Sequence, residues 1–185
     1  YLTEEFAIST LAKERELNFP VGSESAYTNT NYVLLAEIVE QVSGMSFKQF
    51  TDSAIFPPLQ MQHTYVEDFT QKSTVAGYEK KGKSFKKRVL KAGLHGEDNI
   101  VSTLADMLRW DQNLATNKLG KQDPQLIKQV TTSSVLNNGE PSEYNYGLGI
   151  SEYRGMKMIS HDGENDIHTS IIVQLPEKEL SVILL

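Results

Sequence analysis

The sequence predicts an α+β domain, with helices first and an antiparallel sheet after them. Through much of positions 1–145, apolar residues recur at helical spacing behind capping residues. From Tyr146 onward, short apolar runs are joined by tight turns. No helix separates these runs, which favours an antiparallel meander over a parallel sheet with crossovers. The organisation expected is a mainly helical region over 1–145, interrupted by a hairpin near 74–90, and strands of one sheet over 146–185.

Thr3 is placed to cap a helix from Glu4 to about Leu17, with acidic residues in its first turn. A loop with Pro20 and Gly22 follows. A second helix is expected from about Asn31 to Val42. Leu34, Leu35, Ile38, Val39 and Val42 share one face of it, expected to be core, and Gly44 closes it. Ser46 caps a short helix with Phe47 and Phe50, which Pro57-Pro58 ends. The period then changes. Thr74 to Glu79 and Ser84 to Leu90 read as a hairpin with Lys81-Gly82-Lys83 at its tip. Ser102 is the expected cap of a helix with Leu104, Met107, Leu108 and Leu114 in a stripe and Trp110 beside it. Asp123-Pro124 opens a shorter one. Strands are expected at Tyr146–Tyr153, Met156–Ser160, Thr169–Leu175 and Leu180–Leu185, turning at Arg154-Gly155 and Pro176-Glu177-Lys178.

Composition narrows the function. The 185 residues are 39% hydrophobic, enough for one sizeable core. Net charge is −6, the opposite of a nucleic-acid binder's usual balance. Lys80 to Lys91 holds six lysines and Arg88, read as a solvated hairpin rather than a nucleic-acid or anionic-surface patch. No apolar run is long enough to span a membrane. With zero cysteines, disulfides, thiol catalysis and thiolate metal sites are excluded, and either the cytoplasm or a periplasm is compatible. His161, Asp162, Asp166 and His168 match no metal-ligand spacing, so neither a metal nor another cofactor is expected. The first residue is Tyr1 and the last an apolar strand, so the chain is expected to be an internal piece of a longer protein, prone to association through its uncovered strand edge.

Tyr27-Thr28-Asn29 sets a phenol and a carboxamide together at a helix entrance. With Phe19-Pro-Val-Gly22 before it and Tyr32-Val-Leu-Leu35 after it, this segment resembles the serine beta-lactamase-related family: class C beta-lactamases, penicillin-binding D-alanyl peptidases and lactamase-like esterases. The resemblance continues through Gly44-Met-Ser-Phe47, Ile55-Phe-Pro-Pro-Leu-Gln-Met61 and Val101-Ser-Thr-Leu-Ala-Asp-Met-Leu-Arg-Trp110. It closes with Tyr146-Gly-Leu-Gly149 and His161-Asp-Gly163, and is weakest between Glu67 and Glu97. It implies an antiparallel sheet flanked by helices, with a helical region inserted, here lacking the segment that bears the nucleophile.

The resemblance implies acyl transfer through a serine in Ser-x-x-Lys. Tyr27 would take the serine's proton, which requires nearby cations to lower a phenol pKa that starts near 10. Those cations would be the absent lysine and His161. Asn29 would hold a substrate amide. His161-Asp162-Gly163 stands where class C lactamases carry Lys-Thr-Gly. An imidazole's charge is conditional where a lysine's is permanent, which counts against an efficient beta-lactamase. Gly163 belongs to that substrate strand, and the backbone N–H of Glu164 would lie in the oxyanion hole.

Ser84-Phe-Lys-Lys87 is the one Ser-x-x-Lys, but it follows Tyr27 and sits in a hairpin. The nucleophile is therefore expected upstream of Tyr1, and the isolated segment is expected to form no acyl-enzyme. The function implied for the parent is a serine hydrolase, periplasmic or extracellular, acting on a small ester, amide or D-amino-acid peptide. The alternative is a non-catalytic binding or scaffold protein of the same fold.

Overall fold

The computed structural model describes residues 3–67, 75–89, 93–121 and 123–185. Its helices are α1 (Glu4–Leu11), α2 (Asn29–Ser43), α3 (Phe47–Phe50), α4 (Leu104–Thr116) and α5 (Pro124–Val130). Strands β1 (Tyr65–Val66) and β4 (Ile100–Val101) pair with each other, as do β2 (Gly77–Lys81) and β3 (Ser84–Arg88). The remaining five, β5 (Tyr144–Asn145), β6 (Leu148–Tyr153), β7 (Met156–Glu164), β8 (Thr169–Leu175) and β9 (Leu180–Leu184), form an antiparallel meander in sequence order. The fold is α+β.

Local chemistry sets the element ends. Thr3, Thr28, Ser46, Thr103 and Asp123 each accept a backbone N–H through the side chain at a helix entrance. At α3 this is a capping box, with Gln49 reaching back to Ser46. Gly44 and Asn117 close α2 and α4 in the left-handed region, at φ 68° and 49°. Arg154 and Gly155, at φ 52° and 78°, make the two-residue turn between β6 and β7.

Several boundaries differ from expectation. α1 stops at Leu11 because Lys13 to Leu17 have no buried face to hold another turn, and α1 itself buries no residue. α2 begins at Asn29, capped by Thr28. Thr103, not Ser102, caps α4; the Ser102 hydroxyl pairs with Thr64 Oγ1 at 2.8 Å instead. The sheet starts at Tyr144, since Tyr146 and Gly147 are the turn between β5 and β6. β7 runs to Glu164, so His161 to Glu164 lie inside a strand rather than beyond one. The expected hairpin ends Thr74 and Leu90 lie outside the described residues.

The core follows a different face of the helices than the apolar stripes suggest. Phe56, Leu59, Met61 and Val66 are buried together, with Phe47, Ile55, Trp110 and Leu119 against them. On α2 the buried residues are Val33 and Ala36, whereas Leu34, Leu35, Ile38 and Val42 are exposed. On α4 Leu104 and Leu108 are also exposed, and Asp106, Asp111 and Asn113 are buried. The expectation that both stripes face the core is corrected. α2 turns Ala36 toward the 94–99 loop, where Gly96 lies against the Tyr32 carbonyl.

Asp106 is the central polar anchor. It is fully buried and accepts from the His63 N–H at 2.7 Å, the Thr64 hydroxyl at 2.9 Å and Arg109 Nη1 at 2.8 Å. These bonds tie α4 to the segment that enters β1. They compensate the desolvation an unpaired buried carboxylate would suffer.

Candidate active site

Two elements bring the candidate residues together. The entrance of α2 carries Tyr27 and Asn29, and β7 carries His161, Gly163 and Glu164. All five line one cleft of about 1040 Å³, together with Tyr32, Glu97, Tyr144 and Asp162. Ring centroids of Tyr27 and His161 are 6.3 Å apart.

The structure adds an aromatic cluster that sequence reasoning missed. Tyr144 stands edge-on to Tyr27, with centroids 5.3 Å apart, and edge-on to Tyr32 at 6.4 Å. Edge-to-face contact sets the positive rim of one ring against the negative face of another. The Tyr144 hydroxyl lies 3.0 Å from His161 Nε2. The imidazole is therefore held by Tyr144, which comes from the sheet. The available signal was slight: a tyrosine two residues before Tyr146-Gly-Leu-Gly149.

The Tyr27 phenol is raised above its ordinary 10.0, first by burial and then by Tyr32, Glu97 and Asp162. The groups acting on it are phenolic and acidic rather than cationic. At neutral pH it keeps its proton. The Tyr144 phenol is driven up much further, first by burial and then by the neighbouring Tyr32 phenol.

The strand geometry gives the cleft a backbone edge. Asn165 N–H donates to the His168 carbonyl at 3.0 Å, closing the β7–β8 turn as a hydrogen-bonded pair. Alternation then makes Glu164 and Thr169 a non-bonded pair, with the Glu164 N–H facing away from β8. On that side β7 outruns β6, whose last partner in the pairing is Gly149 opposite Ser160. The amides of Asp162 and Glu164 thus project past the end of β6. Gly163 permits a close approach here, since a Cβ on it would sit 2.9 Å from Ser170 Oγ.

Ser84 has no part in this arrangement. It lies in β3, donates to the Lys81 carbonyl at 3.1 Å, and does not line the cleft. Among the described residues, no helix is long and apolar enough to cross a membrane.

The Beta-lactamase family model matches residues 5–185. The chain belongs to the beta-lactamase family. A D-aminopeptidase of Gluconobacter oxydans (strain 621H) is 24% identical over 174 residues, covering 92% of this chain and 33% of that protein. The chain thus spans about a third of that curated relative's length. Among solved structures, the octameric penicillin-binding protein homologue from Pyrococcus abyssi superimposes with a TM-score of 0.82 at 25% identity, covering 98% of this chain and 43% of the other. A D-stereospecific amidohydrolase from Streptomyces sp. shares the fold, with a TM-score of 0.74 at 20% identity, covering 97% and 55%.

Proposed function

We propose that residues 1–185 form part of a serine hydrolase that acts by acyl transfer on a small amide, ester or D-amino-acid peptide, with the nucleophile supplied from outside these residues. The observation that carries this reading is the convergence of Tyr27, Asn29 and His161 on one cleft. The names of the relatives, a D-aminopeptidase and a D-stereospecific amidohydrolase, favour an amide or D-peptide substrate. An exported enzyme, periplasmic or extracellular, fits a substrate of that kind.

In this reading a serine and its lysine enter the cleft beside Tyr27. The lysine's charge offsets the acidic surroundings of the phenol and lowers it toward working range. Tyr27 then relays the proton from the serine to the leaving amine. Asn29 binds the substrate amide through its carboxamide, and His161 engages the far polar end of the substrate. The Glu164 N–H, projecting past β6, donates to the oxyanion that forms on the attacked carbonyl, and Gly163 keeps the approach clear.

The test uses the intact protein and a D-amino-acid amide. Tyr27→Phe is expected to lower turnover by about a hundredfold or more while the melting temperature holds. A fluorophosphonate is expected to label the intact protein and to leave isolated residues 1–185 unlabelled. Unchanged turnover in the variant removes Tyr27 from the reaction.

His161, where class C lactamases carry a lysine, favours a second reading, a non-catalytic binding module of the same fold. Intact protein that binds a D-peptide yet takes no fluorophosphonate label would establish it.

A further inference from the structure

The β2–β3 hairpin carries chemistry that the cleft does not use. Its register sets Tyr78 opposite Lys87 and Lys80 opposite Phe85. Side chains alternate along a strand, so these four share one face. Tyr78 and Phe85 are diagonal neighbours on it, 66% and 68% exposed. The other face holds Glu79, Lys81, Ser84, Lys86 and Arg88. There the charges partly cancel: the Glu79 carboxylate meets Arg88 at 3.2 Å and Lys81 at 3.9 Å. Among the described residues, Lys80 and Lys87 make no ion pair. Two rings and two unneutralised ammonium groups are thus presented to one side.

Six of the chain's 18 lysines and arginines fall within residues 77–88, beside a single carboxylate, while the whole chain is net −6. Such polarisation opposes collapse of the hairpin onto a neutral partner and suits an anionic one. A two-stranded ribbon with both faces in water is only marginally stable alone, so an apolar contact on one face would steady it.

We propose that the face formed by Tyr78, Lys80, Phe85 and Lys87 docks on the headgroup region of an anionic lipid bilayer. Aromatic rings partition into that region, and lysines lay their stems along it while keeping the ammonium at the phosphates. A nucleic acid is the less suitable anion. The hairpin's one arginine, the better base and phosphate reader, sits on the opposite face and is occupied by Glu79. The contact holds the protein peripherally at a membrane surface and leaves the cleft residues outside it.

Vesicle co-sedimentation of the intact protein tests this. Binding is expected to vesicles of equal parts phosphatidylglycerol and phosphatidylcholine, not to phosphatidylcholine alone, and is expected to fall as salt is raised. K80E/K87E is expected to weaken it by about tenfold or more, and Y78S/F85S to weaken it without removing the salt dependence. Hydrogen exchange on the unmutated protein needs no variant: anionic vesicles should protect amides in 77–88. Equal binding to both vesicle types, undiminished binding by a K80E/K87E protein that melts normally, or protection lying elsewhere would overturn the proposal. So would retention by a single-stranded oligonucleotide without retention by vesicles.

Discussion

The hydroxyl of Tyr144 and Nε2 of His161 stand 3.0 Å apart, joining two strands of one sheet across β6. This contact fixes the orientation of the imidazole in the cleft. Tyr144→Phe keeps the ring against Tyr27 and Tyr32 and removes only the hydroxyl. The expected cost is about 1 kcal/mol in urea unfolding, the usual net worth of such a bond. Nitrogen NMR should also show the Nε2 resonance of His161 moving. A resonance that stays in place would mean the two groups do not bond in solution.

Alkaline pH reports on the same cluster. Both Tyr27 and Tyr144 have folded-state values above the unfolded phenol, so the folded chain holds protons that the unfolded chain releases. Their contribution to stability is whole below about pH 10 and is lost as pH climbs through the folded values. Stability measured by urea from about pH 9 to about pH 11 is expected to fall, and less steeply in Tyr144→Phe. A flat or rising profile for the unmutated chain contradicts the upward shift of these phenols.

Asp106 offers a prediction about the scaffold. Asp106→Ala strands the donors of His63, Thr64 and Arg109 around an emptied site. A loss of roughly 3–5 kcal/mol is expected, as for a broken buried ion pair. Thermal and chemical unfolding should agree on this. A loss below about 1 kcal/mol would show that water replaces the carboxylate.

Gly96 is the point where the loop carrying Glu97 meets α2. Its φ is 90°, and a Cβ there would lie 2.1 Å from the Tyr32 carbonyl oxygen. Gly96→Ala is expected to cost roughly 2 kcal/mol or more, combining left-handed strain with a backbone clash. A melting temperature equal to that of the unmutated chain would show that the loop is free to shift away.

The fold was largely legible because its signals are local. Thr3, Ser46 and Asp123 as caps, Gly44 as terminator and Arg154-Gly155 as turn all act within a few residues of themselves. What escaped was set at long range. Which stripe of α2 is buried depends on the 94–99 loop, some sixty positions away in the chain, so Leu34 and Ile38 read as core while Ala36 took that place. β1, β4 and β5 are two residues each, too short to show a period. The gathering of Tyr27, Asn29 and His161 was readable only through the order of motif blocks. Tyr144 was barely readable, since its partner lies on a strand two removed. The rise of the Tyr27 phenol was not readable either, since its causes, burial first and then Tyr32, Glu97 and Asp162, come mostly from distant parts of the chain.

The extension of β7 beyond β6 gives the cleft donors that belong to the main chain. Exchange of the side chains at 162 or 164 leaves those amides where they are, proline excepted. Descendants of this sequence can therefore alter charge and shape around the rim, and with them the choice of guest, while the main-chain donors that the proposed reaction needs are inherited unchanged.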